Sequence, residues 1–240
     1  MQFLGEFFRQ SEQGTVITAD QGSAFAKQIA GDFNPIHDPS SKRFCVPGDL
    51  LFAVALAKYG LHQSMRFEFL DMVKADSLLA YPRSVTQGKA MVSYAEASNK
   101  DVLALEVGGE STNDGAKVES LLRKYVAFSG QNFPSILMPL MEQYDVMINP
   151  ARPLVIYQSM SFEISSLTFS QLDIELESTS LEVNGKRGDA SLNFAFYDGQ
   201  TKVGHGVKNL VLSGLRPYNK EVMQELCDNY LANAKTGGGN

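Results

Sequence analysis

Gly48-Asp49-Leu50-Leu51-Phe52-Ala53-Val54-Ala55-Leu56-Ala57-Lys58 is apolar almost without interruption, and its reading decides the fold. The run predicts a helix from Gly48 to about Gln63, with Asp49 near its start and Lys58 farther along, a polarity that suits the helix dipole. A helix that is apolar on nearly every side must be wrapped by other structure. Downstream, over residues 65–130, the period changes. Met65, Phe67 and Phe69 alternate with polar neighbours, as do Met91, Ser93-Tyr94 and Leu103, Leu105, Val107. These stretches predict half-buried antiparallel strands, with turns such as Asn113-Asp114-Gly115 between them.

The second half repeats this order. Residues 135–147 predict an apolar helical segment that Pro139 either kinks or opens. Strands are expected at 159–164, 173–183, 190–196 and 203–213, with hairpin signals at Asn184-Gly185 and Asp198-Gly199. Ser64-Met65-Arg66-Phe67-Glu68 recurs as Ser159-Met160-Ser161-Phe162-Glu163, each time after a helical segment and before a long strand. A long apolar helix followed by an antiparallel meander requires a sheet curled around the helix. The expectation is an α+β double hotdog, with one repeat over residues 1–132 and a second over 133–240. A closing amphipathic helix over 220–234 presents Val222, Met223, Leu226, Tyr230 and Leu231, and the tail Thr236-Gly237-Gly238-Gly239-Asn240 is expected to be disordered.

Composition bounds the function. The 240 residues carry a formal charge of −6, 44% hydrophobic and 20% charged residues. This balance argues against a nucleic-acid or anionic-membrane surface, both of which need clustered cations. No window is apolar for long enough to span a bilayer. The start lacks a cationic leader, and Cys45 and Cys227 are too far apart to suggest a metal pair, so free thiols in a reducing cytoplasm are expected. No metal or cofactor is expected.

The chemistry lies upstream of the apolar helix. Thr18-Ala19-Asp20-Gln21 has capping-box spacing, and the short helix it opens runs into Gly31-Asp32-Phe33-Asn34-Pro35-Ile36-His37. Pro35 forbids the helix from continuing, so the stretch is a turn displayed at a helix end. Asp, Asn and Pro are turn formers on their own account. Asp32 and His37 nevertheless stand on opposite sides of the Asn34-Pro35 turn, where both side chains can converge on one water.

This segment, ending Asp38-Pro39, and Val46-Pro47-Gly48-Asp49-Leu50-Leu51 resemble the MaoC-like (R)-specific enoyl-CoA hydratases and the hydratase 2 domain of peroxisomal multifunctional enzymes. The resemblance implies hydration of 2-enoyl thioesters, or dehydration of (R)-3-hydroxyacyl thioesters. Asp32 would be the general base, His37 would position water and shuttle the proton, and Asn34 would hold these groups. The Gly48 N–H, at a helix N-terminus, would stabilise the enolate oxygen. Three features depart from the family pattern. The stretch from Asp38 to Val46 is shorter than in the relatives, Ala30 replaces the usual Ser, and no hydroxyl occurs from Gly48 to Lys58. The second half lacks the motif, showing only Asn149-Pro150-Ala151-Arg152-Pro153.

The implied partner is an acyl-CoA or acyl-carrier-protein thioester. Lys42, Arg43 and Arg83 are candidates for the CoA phosphates, and Tyr157 or Phe162 for the acyl chain. His62 is expected at the end of the central helix as a dipole partner, and Cys45 as a buried loop thiol. Two rival functions stand beside the hydratase. One is a non-catalytic acyl-thioester or lipid-binding module. The other is a thioesterase using Asp49, whose place in the first helical turn reads more simply as a helix-end charge. The duplication allows either a monomeric pseudo-dimer or a homodimer.

Overall fold

The computed structural model describes residues 2–85, 88–94 and 100–237, with side chains described for 3–85, 88–94 and 100–234. Helix α1 (Ala19–Phe25) opens with the capping box that the spacing predicts. The Gln21 N–H donates to the Thr18 hydroxyl at 3.2 Å, and the Thr18 N–H donates to the Gln21 side chain at 3.1 Å. A π turn at Ala26–Ala30 continues it and stops at Gly31, whose φ of +69° is a left-handed value natural to glycine. The 3-10 turn Pro35–His37 follows, so the motif is displayed at a helix end as expected.

Helix α2 (Gly48–Tyr59) is the apolar run, buried from Asp49 through Leu56. It ends at Gly60, earlier than the Gln63 expected. The hydrophobic pattern has no break there because strand β3 (Leu61–Phe69) begins at once, itself apolar on one face. Gly60 makes the break with a φ of +76°, where a Cβ would lie 2.3 Å from the Asn113 side-chain oxygen. His62 therefore belongs to β3, opposite Ser111, and is not a helix-end dipole partner.

The remaining strands are β1 (Arg9–Gln10), β2 (Thr15–Val16), β4 (Leu78–Ala80), β5 (Gly88–Tyr94), β6 (Asp101–Thr112), β7 (Val146–Met147), β8 (Val155–Ile164), β9 (Asp173–Asn184), β10 (Arg187–Asp198), β11 (Thr201–Ser213) and β12 (Arg216–Pro217). Among the described residues, nine of them and β3 form one sheet in the order β1-β2-β4-β5-β6-β3-β8-β11-β10-β9, with antiparallel neighbours. β7 and β12 pair apart from it. Outward from the centre the order is β3, β6, β5, β4 on one side and β8, β11, β10, β9 on the other, the same sequence of connections twice. The two copies of the repeated pentapeptide meet at that centre. Ser64 pairs with Glu163, Arg66 with Ser161 and Glu68 with Ser159, a register symmetric about Arg66 and Ser161.

The expected run of strands up to residue 130 is corrected. Helix α3 (Gly115–Gly130) occupies its last part, and the Asp114 side chain caps it by accepting from the Ala116 N–H at 3.0 Å. Asn113-Asp114-Gly115 is thus a helix start and not a hairpin turn, because Asp suits both roles. After a π turn at Phe133–Leu137, helix α4 (Met138–Gln143) carries Pro139 in its first turn. It stops short of Met147, which β7 takes. The second-half strands and both hairpin glycines, Gly185 at φ +60° and Gly199 at φ +61°, lie where the sequence predicts.

Helix α5 (Lys220–Gly237) closes the chain and takes in Thr236 and Gly237 of the expected tail; residues 238–240 lie outside the described residues. Met223 and Tyr230 are buried on it, whereas Leu231 is exposed.

The core joins α2, α3 and the sheet. The Phe52 ring meets Phe67 of β3 at 5.0 Å and Tyr125 of α3 at 5.1 Å, both edge to face. A second cluster gathers Leu140, Met141, Leu192 and Leu212 of the later half with Met223 of α5. An antiparallel sheet covering a buried helix is an α+β arrangement of the hotdog kind.

Candidate active site

A cavity of about 430 Å³ opens where α2, the motif turn, the end of α3 and the strands of the second half meet. Its walls are mostly apolar, from Phe33 and Ile36 through Val155 and Leu210. Among the polar side chains that interrupt them, two groups are linked by contacts of their own.

The first group is the motif. Asp32 Oδ2 and His37 Nε2 are 3.5 Å apart, long for a hydrogen bond and close enough for one water to touch both. Each is held from behind. His37 Nδ1 lies 2.8 Å from the Cys45 carbonyl oxygen, which can only accept, so Nδ1 carries a proton and Nε2 faces the carboxylate. Asp32 Oδ1 accepts from the Asn34 N–H at 2.9 Å and has the Tyr230 hydroxyl at 3.2 Å. That hydroxyl in turn accepts from the Phe33 N–H at 3.0 Å. Gly130 lets α3 press onto this turn: a Cβ there would fall 1.9 Å from the Ala30 carbonyl oxygen.

Burial pushes the Asp32 carboxyl up, but the close imidazole of His37 and its charge, with the Asn34 N–H and Lys208, outweigh it and hold Asp32 below its ordinary value. His37 responds in the opposite sense. Burial lowers it, but the close Asp32 carboxylate and its charge, with the Cys45 carbonyl and Asp49, together outweigh that for a net rise. The pair favours carboxylate and imidazolium.

A pH signature follows. A raised His37 contributes stability that is complete below its ordinary 6.5 and is lost as pH climbs through the raised value. A lowered Asp32 contributes above its ordinary 3.8 and loses that contribution as pH falls through the lowered value. The stability difference between wild type and Asp32→Asn should therefore shrink as pH rises above 6.5. Urea unfolding at stepped pH measures it, and a difference that stays flat through that window would contradict the coupling.

The second group was not anticipated. Asp49 is 6% exposed and Lys208 4%. The Ser129 hydroxyl joins them, donating to Asp49 Oδ2 at 2.5 Å and accepting from the Lys208 ammonium. Lys208 also lies over the Tyr157 ring, 4.2 Å from its centre. Burial drives Asp49 up against the pull of Lys208 and Ser129, and drives Lys208 down against Asp49 and Asp32. Asp49 is therefore no solvated helix-end charge.

The structure brings Asp32, His37, Asn34 and Gly48 to one wall of the cavity. Asn34 holds Asp32 through its main-chain N–H, while its side chain caps the turn by accepting from the Ile36 N–H at 3.2 Å. Gly48 opens α2; the Leu50 and Leu51 N–H groups donate to the Pro47 carbonyl at 3.0 and 3.2 Å, and those of Gly48 and Asp49 lie ahead of the helical ladder. Its missing side chain also makes room, since a Cβ would sit 2.9 Å from the Tyr157 ring. Tyr157 lines the cavity; Phe162 instead packs edge to face on Phe196 in the core. Lys42, Arg43 and Arg83 are exposed and lie outside the cavity lining.

Tyr230, Ser129 and Lys208 were missed. Lys208 shares the buried phase of β11 with Gly206 and Leu210, but the sequence alone offers Val203, Val207 and Val211 in the opposite phase. Among the described residues no group of acids, histidines and cysteines is placed to hold a metal. Nor is any helix among them long and apolar enough to cross a membrane.

A family model described as "Protein of unknown function (DUF3581)" matches residues 2–221. No curated protein matches the chain. Among solved structures the chain is similar to a tesB protein of Mycobacterium avium subs paratuberculosis, with 10% identity, a TM-score of 0.45, and 88% of this chain and 98% of that one covered. A MaoC-like dehydratase gives 8%, 0.42, 88% and 99%. The peroxisomal multifunctional enzyme type 2 of Drosophila melanogaster gives 10%, 0.40, 80% and 47%, so less than half of that enzyme is spanned.

Proposed function

The chain belongs to the DUF3581 family, and for it we propose the (R)-specific hydration of 2-enoyl thioesters, or its reverse, at Asp32 and His37. The observation that carries this reading is the Asp32–His37 pair, 3.5 Å apart on the wall of a largely apolar cavity. A carboxylate and an imidazolium suit the two proton transfers of water addition. The Asp32 carboxylate takes a proton from water as its oxygen bonds to C3, and the C2=C3 electrons move toward the thioester oxygen. An N–H at the start of α2 meets the charge developing there. His37 Nε2–H then protonates C2, and transfer from Asp32 back to His37 restores both groups.

The chain is read as two hotdog repeats, 1–132 and 133–240, with the cavity between them. The mirrored strand order and the self-pairing pentapeptide support this. Asp32, His37, Asn34 and Gly48 come from the first repeat, and Tyr157, Lys208 and Tyr230 from the second. Acyl-CoA or an acyl carrier protein is the proposed partner, with Lys42, Arg43 and Arg83 retained as candidates for its phosphates.

A thioesterase is the second reading, and Asp49 favours it. This carboxylate lies at the start of the buried helix, lines the cavity and keeps Oδ1 without a protein partner among the described residues. Hydrolysis would release a thiol, and hydration would not. Purified protein with crotonyl-CoA, followed at the enoyl absorbance and with a thiol reagent, separates the two. Hydration predicts loss of the enoyl signal with no thiol released. Thiol release alone would replace the proposal with the thioesterase, and neither signal over a range of chain lengths would leave a binding module.

A further inference from the structure

Beside Asp49, Ser129 and Lys208, Asn132 is a further buried polar group in this cavity that the mechanism does not use. It is 3% exposed and lines the cavity, and neither its amide nitrogen nor its oxygen has a partner among the described residues. A buried amide stripped of every hydrogen bond is costly, so such groups in native proteins have an occupant. Asn132 follows Ser129 by one helical turn, its backbone still right-handed at φ −64° and ψ −32°, which places the two on one side. Ser129 in turn holds Asp49, whose Oδ1 is likewise unpartnered. Donor and acceptor capacity thus stands idle along one stretch of an otherwise apolar wall.

We infer that this stretch is a subsite for a neutral hydrogen-bonding group on the acyl chain, a hydroxyl or a carboxamide. The inference rests on the acyl-thioester reading and narrows its substrate class. A carboxylate fits poorly. The lining already sets Asp32 and Asp49 against His37 and Lys208, with Asp71 held by Lys100, and another anion would be desolvated without a free counter-charge. A hydroxyl can donate to Asp49 Oδ1 or the Asn132 oxygen and accept from the Asn132 amide.

Saturated acyl-CoA thioesters bind without being hydrated, so calorimetric titration isolates the subsite from the chemistry. The set comprises an unsubstituted chain, chains hydroxylated at successive carbons beyond the third, and one ending in a carboxylate. At least one hydroxylated chain should bind wild type roughly ten-fold tighter than the unsubstituted one, and the carboxylate chain weakest. Asn132→Leu should abolish that preference while melting no lower than wild type, because the amide makes no bond in the free protein. Equal binding of plain and hydroxylated chains would overturn the inference alone, the groups being satisfied by water. A preference that survives Asn132→Leu would overturn it as well. Failure of every thioester to bind would overturn the acyl-thioester reading together with it.

Discussion

Asp32→Asn should lower enoyl-thioester hydration by roughly 10²–10⁴-fold, the usual range for a positioned general base, and leave the fold in place. The substitution is close to isosteric. An amide oxygen can still accept from the Asn34 N–H and meet the Tyr230 hydroxyl, so the turn keeps its anchors. It cannot take a proton from water, and it withdraws the charge that raises His37. Steady-state rates beside a circular-dichroism spectrum and a melting curve separate chemistry from folding. A drop below about five-fold, set against the same range, would remove Asp32 from the role of base.

Lys208→Met should cost roughly 1–3 kcal/mol of folding stability at neutral pH, the cost of leaving a buried polar chain short of one partner. Methionine fills a similar volume, so little of the loss comes from packing. It comes from Asp49, held at 6% exposure by Ser129 alone, once the ammonium behind that hydroxyl is gone. Burial already raises Asp49, and a protonated carboxyl carries no charge to compensate. The penalty should therefore diminish as pH is lowered through the raised Asp49 value. It should also diminish when Asp49→Leu is added, which removes the orphaned charge. Denaturant unfolding at several pH values reads both effects. A loss that is independent of pH and unchanged by Asp49→Leu would mean that Lys208 acts only through packing.

What was legible in the sequence was local chemistry. The Thr18–Gln21 box, the apolar run after Gly48 and the glycine hairpins each specify their structure within a few residues. α3 was legible too, since Val118, Leu121, Leu122 and Tyr125 recur at helical spacing and are all buried. The strand period before it and the turn-like Asn113-Asp114-Gly115 pointed elsewhere.

The candidate site divides along the same line. Asp32 and His37 are five positions apart in one turn, so their approach is written locally. Tyr230 and Lys208 arrive by tertiary folding, from a helix whose pattern marks Tyr230 as buried without saying against what, and from a strand whose pattern does not single out Lys208. Asp49 looked like a helix-end charge because its sequence neighbourhood contains nothing of Ser129 or Lys208.

The most direct test of the central claim is the fate of solvent oxygen. Wild type would be incubated with a 2-enoyl-CoA in H₂¹⁸O and the product resolved on a chiral column with mass detection. Addition of water by Asp32 and His37 predicts a 3-hydroxyacyl thioester with one ¹⁸O at C3, in the R configuration only. Label in a free carboxylate, with the double bond intact, would contradict the hydratase and assign the cavity to thioester hydrolysis.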